Sequence, residues 1–358
     1  MKKPTSIFVV GLVVLFGFLI FFRILHFAGF AQEIQESKQS QSSNCQDTTV
    51  LETYVSKLII SAPYAKNSLR YGNEESPPGE FGYQAEEDIR SVSLFNAFTV
   101  TPNGDIYIVD PLNKRIQKFN QEGNFVSSIE PLDRDMENVC LSIDQNQDIF
   151  LTDCEKNFIF KYNPKGILLM TYYVFEEFAC SFVCCDKFGR VFHSHPHYIG
   201  GSIFYQVGTS ERPFTEKQQK KSIKNGLIGF NSVALDNNLF FRPDSLLHKT
   251  GLGSLYAFNF NEDTLHVFKS IQGEFLGCDE NLNIYTQIYN SKTRTMEVKK
   301  YNEKGEYVSC FKYDCPETYY GIHDSALNCC YLDNQGNIYI FCQSLENDGI
   351  KVIKWYKQ

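Results

Sequence analysis

Three imidazoles crowd one short stretch, His193-Ser194-His195-Pro196-His197. Alternation along a strand would put His193 and His195 on one side of its end, with His197 in the turn after Pro196. Three neutral imidazoles with an open fourth position form the donor set of zinc or a similar divalent cation. Cysteines offer a second chemistry. All twelve lie between Cys45 and Cys342, and two pairs recur in one register. Cys140 and Cys154 flank the turn Asp144 to Asp148, and Cys329 and Cys342 flank the equivalent turn Asp333 to Asn337, so each pair would face across a hairpin as a possible disulfide. The competing reading is that of small buried hydrophobes. Vicinal Cys184-Cys185 and Cys329-Cys330 point to opposite faces of a strand and do not bridge themselves. No Cys-x-x-Cys, His-Glu-x-x-His, Gly-x-Ser-x-Gly or phosphate-cradling glycine loop occurs, which removes the commonest zinc-knuckle, protease, hydrolase and nucleotide readings. Asp110 and Asp153 could ligate a cation, but read better as turn caps accepting backbone N–H bonds.

The elements that must position these groups repeat. Residues 98 to 129 read as two hairpins: a turn Thr101 to Asp105, a strand from Ile106 to Val109, a turn at Asp110 to Asn113, a strand from Arg115 to Phe119, a turn at Asn120 to Gly123, and a last strand to Ile129. The step Ile106-Tyr107 returns as Ile149-Phe150, Val191-Phe192, Leu239-Phe240, Ile284-Tyr285 and Ile338-Tyr339, at spacings of 43, 42, 48, 45 and 54 residues. Aspartates precede five of these turns: Asp144, Asp186, Asp236, Asp279 and Asp333. This is the period of a four-stranded propeller blade, and six blades follow. The sixth runs out of chain after its third strand. The strand-like run Tyr54 to Ser61 has no blade of its own and would complete the outer edge of blade six, closing the ring.

In such a meander, the second-to-third-strand loops and the blade-to-blade connections emerge on one face. The long segments 62 to 94, 193 to 202, 242 to 254 and 310 to 327 all fall there. That rim is the expected binding surface, with His193, His195, His197, His248, Tyr319, Tyr320 and His323 as its candidate residues.

The run Asn-Gly-Asp-Ile-Tyr-Ile-Val-Asp followed by Asn-Lys-Arg-Ile-Gln-Lys-Phe, at 103 to 119, closely resembles the NHL repeat. Over 95 to 356 the chain is similar to a six-bladed NHL-type β-propeller, best in the first blade and weakest in the third and fourth. The resemblance implies an all-β fold of four-stranded antiparallel blades. It implies little chemistry, because the family spans binding platforms and a few enzymes. Lactonase-type propellers hold a divalent cation with Glu, Asn and Asp. Propellers resembling the peptide-amidating lyase hold zinc with histidines from several inner strands, and here only His323 sits just ahead of one.

The amino-terminus supplies the address. Lys2 and Lys3 precede Ile7 to Phe22, sixteen residues without a charge, and Arg23 is followed by Ile24 to Ala31. Residues 1–31 are read as a signal anchor that leaves the propeller extracytoplasmic on a single-pass membrane protein. The alternative is a signal peptide cleaved near Ala31, which gives a secreted or periplasmic protein. Residues 32–49 are a polar linker and 50–358 the propeller. The formal charge of −8 disfavours nucleic acid, and basic clusters are short, at Lys217 to Lys224 and Lys299-Lys300. The expected function is a membrane-tethered binding or scaffold propeller that takes a protein, peptide or glycan and needs no cofactor. The alternative is a metal-dependent hydrolase or lyase, lactonase-like or amidating-lyase-like, using zinc or another divalent cation.

Overall fold

A computed structural model describes residues 52–63, 77–81 and most of 98–358, apart from 131–139, 315–329 and a number of shorter stretches. The N-terminal segment 1–51 lies outside the described residues, and among the described residues no helix is long and apolar enough to cross a membrane.

Six antiparallel sheets follow one another along the chain, each a four-stranded meander or a variant of one. The protein is an all-β six-bladed propeller. Blade one comprises Phe98–Val100, Ile106–Asp110, Arg115–Phe119 and Phe125–Ile129. The second strands of the other blades begin at Ile149, Arg190, Leu239, Ile284 and Ile338, on or beside the repeated apolar step. These strands open on apolar runs because both of their faces are covered. In Ile106–Asp110, Ile106 and Ile108 pack into the cluster shared with blade six, while Tyr107 and Val109 pack into the cluster shared with blade two.

The repeated aspartates build the first turn of blades two, three, five and six, while Thr101 takes that place in blade one. Asp144 Oδ1 accepts the N–H groups of Asn146 and Asp148, and Asp186, Asp279 and Asp333 make the same pair of bonds two and four residues on. Asp236 lies outside the described residues. Asn120, Asn163 and Asn302 repeat the device at the turn before the outer strand. Behind the first turn, a third-strand lysine covers the buried aromatic ring of the second strand. Lys118 over Tyr107, Lys161 over Phe150, Lys300 over Tyr285 and Lys354 over Tyr339 stand 5.1 to 5.7 Å from the ring centres.

The ring closes as the sequence implies. Tyr54–Ala62 pairs antiparallel with Ile350–Lys357, from Tyr54 opposite Lys357 to Ala62 opposite Ile350, and forms the outer strand of blade six. Just ahead of it, the Glu52 carboxylate accepts from Lys300 Nζ of blade five at 2.7 Å and Lys357 Nζ of blade six at 2.9 Å. Burial pushes the Glu52 pKa up, but the two lysine hydrogen bonds and charges outweigh it and hold the group below its ordinary value of 4.5. A depressed carboxylate stabilises the fold above its unfolded pKa, and that contribution disappears as pH falls through the folded value. The urea midpoints of the wild type and Glu52→Gln should therefore differ most at neutral pH and converge in acid. A gap that is constant from neutral pH into acid would count against the ion pairs.

Blade three departs from the pattern. Its outer strand is split into Arg212–Pro213, against Gly208 and Thr209, and Leu227–Phe230, against Ser202 to Phe204. Between the halves stands a helix, Glu216–Lys224. What reads in sequence as a short basic cluster is thus helical. Thr215 and Gln218 form a capping box, with Thr215 N donating to Gln218 Oε1 and Gln218 N to Thr215 Oγ1. Buried Gln219 fastens the helix to blade two, its amide donating to Tyr173 O and accepting from Phe175 N.

The long segments also shrink. The outer strand of blade five continues to Asp314, so the connection toward blade six starts there and not at 310. Positions 193 to 196 and 202 belong to strands of blade three, and 242–243 and 252–254 to strands of blade four.

Candidate functional site

His193 is not a rim residue. It sits within Arg190–Pro196, between Val183 and Tyr205 in the ladder, is 1% exposed, and packs edge-on to the Tyr205 ring at 5.4 Å. Its strand is covered on both faces, and polar neighbours in the sequence do not bring it to the surface. His195 lies on the same strand, opposite Ile203. His197, His248, Tyr319, Tyr320 and His323 lie outside the described residues. Among the described residues no three His, Cys, Asp or Glu side chains cluster closely enough to hold a metal ion. Cys140 exchanges hydrogen bonds with Thr152, and Cys342 stands opposite Lys351. Their expected partners Cys154 and Cys329 fall outside the described residues. Cys184 and Cys185 are buried, and burial raises both thiols, that of Cys185 to about 12. They pack as small hydrophobes.

Asp110 gathers side chains around it. Its carboxylate accepts from Asn113 Nδ2 at 3.0 and 2.8 Å, Arg115 Nε at 2.9 Å and Gln117 Nε2 at 3.1 Å. Arg115 Nη2 goes on to donate to Pro77 O and Glu80 O, and Gln117 brackets the same turn by donating to Glu80 O and accepting from Gly79 N. Phe81, buried beside Phe119, completes the anchorage. The described part of the segment 62 to 94 is therefore a wedge fastened to blade one.

Among the described residues, an opening that could hold a ligand lies between blades five and six. It is a groove of about 370 Å³, with Ile340 and Ile353 as apolar lining, Ser56, Thr295 and Tyr313 supplying hydroxyls, and Lys312, Cys342 and Trp355 completing it. Trp355 stacks on Phe311 at 4.6 Å, and Phe311 stacks in turn on Tyr54 at 5.1 Å. Lys312, largely exposed, pairs with Glu297 at 3.1 Å. The interface behind the groove contains polar groups. Tyr54 and Tyr285 hydroxyls meet at 3.3 Å, and Tyr285 donates to Asp279 at 3.1 Å. Burial, with neighbouring acidic groups, lifts Tyr54 to about 12 and Tyr285 further.

Three side chains of this interface keep buried polar atoms without a hydrogen-bonding partner: both amide atoms of Gln287, Ser309 Oγ and Trp355 Nε1. Gln287 is 2% exposed, on the face of its strand shared with Tyr285. Each such group costs about 1–3 kcal/mol relative to a bonded one, so a pair of blades built only to pack would use apolar residues there.

No protein-family profile matches this chain, and no curated protein does. Similar solved structures include a streptogramin B lyase (11% identity, TM-score 0.42, covering 87% of this chain and 100% of that one). Virginiamycin B lyase from Staphylococcus aureus has 11% identity and a TM-score of 0.40, covering 85% and 99%. A gluconolactonase from Xanthomonas campestris has 12% identity and a TM-score of 0.42, covering 72% and 83%. The blade count rests on the strand pairing of this chain itself.

The groove escapes the sequence because its walls come from strands far apart in the chain. Two local signals point toward it: Trp355 is the only tryptophan, and Gln287 stands where blade one has Val109.

Proposed function

We propose that this protein is an extracytoplasmic, membrane-tethered binding propeller whose ligand, a peptide or glycan segment, enters the groove between blades five and six. The carrying observation is an open groove walled by Tyr313 and Trp355, with buried polar atoms of Gln287, Ser309 and Trp355 in the interface behind it. Apolar lining with a few convergent polar groups suits a ligand with a flat apolar face and hydroxyl or amide edges. The tether follows from the apolar run Ile7 to Phe22 and the polar stretch 32–49.

Because Trp355 is the sole indole, its fluorescence reports occupancy of the groove directly. Full-length protein incubated on peptide and oligosaccharide arrays should give hits that quench or shift Trp355 emission in solution. Gln287→Leu should weaken those hits while raising stability by about 1–3 kcal/mol. Hits that ignore Gln287→Leu but vanish in Tyr319→Ala with Tyr320→Ala would move the site to the rim. Intact mass of the membrane fraction tests the tether, since a mature chain beginning at Gln32 would refute it.

A further inference from the structure

The outer flank of blades two and three gathers exposed apolar side chains beside basic ones. Five of the eleven large apolar side chains that stand exposed among the described residues lie here: Ile167, Leu168, Leu169, Tyr173 and Phe188. Four of them belong to or adjoin the outer strand of blade two, Leu168–Tyr173, an edge whose sequence LLMTYY carries no charge. The outer strand of blade one, FVSSI, is likewise uncharged but exposes only Val126 among large apolar side chains, whereas the clasp strand has Lys57 and the outer strands of blades four and five have Lys269 and Lys312. Charges of that kind are the usual guard on an open edge.

The inserted helix of blade three is fixed to this strand by Gln219, and Tyr172 of the strand donates to Thr209 O of blade three at 2.7 Å. Among the described residues around the apolar strip, exposed Lys165, Arg212, Lys217, Lys220 and Lys221 outnumber the exposed carboxylates Glu130, Glu211 and Glu216, the last of which pairs with Lys220. On a chain of net charge −8, this is a local excess of positive charge. Cations bordering exposed aliphatic and aromatic side chains match an anionic bilayer surface, where ammonium and guanidinium groups meet lipid phosphates and the apolar groups sink to the acyl boundary.

We infer that the outer flank of blades two and three is a seat for an anionic phospholipid surface. The seat rests on this flank alone and not on the N-terminal segment. It lays the propeller on its side against the bilayer, leaving the groove between blades five and six away from the lipid.

The test is co-sedimentation of the full-length chain with vesicles of phosphatidylcholine alone and of equimolar phosphatidylcholine and phosphatidylserine. An N-terminal apolar segment would bind both, so the preference between them is the readout. The wild type should prefer the anionic vesicles, and added salt should erase the preference. Joint replacement of Lys217, Lys220 and Lys221 by Gln should cut the anionic partition by about a hundredfold. Leu168→Ser with Leu169→Ser should reduce it by about tenfold or more while leaving Trp355 emission native. Equal partition onto both vesicles, or variants that partition like the wild type, would overturn the proposal. So would concentration-dependent dimerisation abolished by the same variants without any vesicle preference, which would assign the flank to a second copy of the chain.

Discussion

Asp110→Ala is expected to destabilise the propeller by about 3–5 kcal/mol, the usual cost of removing one partner from a buried ion pair. Asp110 and Arg115 are both buried, and the carboxylate holds three side chains at once. Without it the Arg115 guanidinium stays in the interior without its carboxylate, still donating to the carbonyls of Pro77 and Glu80. The loss should be local as well as global. Gly79 N–H, donated to Gln117, should exchange with solvent much faster in the variant, because Gln117 is oriented by Asp110. Denaturant titration and hydrogen exchange measure the two effects. A variant that loses less than about 1 kcal/mol would show that the network is replaceable by water.

Gly123→Ala should cost roughly 3 kcal/mol, by a different route. Gly123 lies in the turn before the outer strand of blade one at φ +86°, and an added Cβ would stand 1.8 Å from the carbonyl oxygen of Ile59 in the clasp strand. Backbone cannot swing aside as a side chain can, so strain of about 1–2 kcal/mol is joined by an overpacking cost of similar size. Gly251→Ala is the internal control. It has φ +70° and nothing within 4 Å of the new Cβ, so it carries the conformational strain alone. If the two substitutions prove equally costly, the clasp is not held against blade one as tightly as the geometry indicates.

The six blades and the clasp were legible in the sequence because both depend on patterns local to one or two strands. An apolar-aromatic step after an aspartate turn is enough to mark a second strand, and the surplus strand at Tyr54 was conspicuous for lacking a hairpin partner. The helix of blade three was not legible. Glu216–Lys224 has no apolar stripe, and what seats it is chiefly a hydrogen-bonded Gln219, which no hydrophobic period can announce. His193 misled because its neighbours are polar, whereas its burial is decided by the blade that covers its strand. Asp110 was closer to hand. Arg115 sits directly across the hairpin from it, so a cross-strand ion pair could have been read from the register already inferred. The groove depends on how Trp355 and Tyr313, forty-two positions apart, are brought together by two different sheets, and periodicity within one blade says nothing about that.

The closing strand also sets a schedule. Tyr54–Ala62 cannot pair until Ile350–Lys357 has been made, and at ordinary synthesis rates the 288 residues separating Ala62 from Ile350 take roughly a quarter of a minute to a minute. Throughout that interval the first strand of the domain has no partner, and five finished blades form an open crescent with a bare edge at each end. The nascent chain is thus most exposed to mispairing late in its synthesis, when nearly all of its core has already formed.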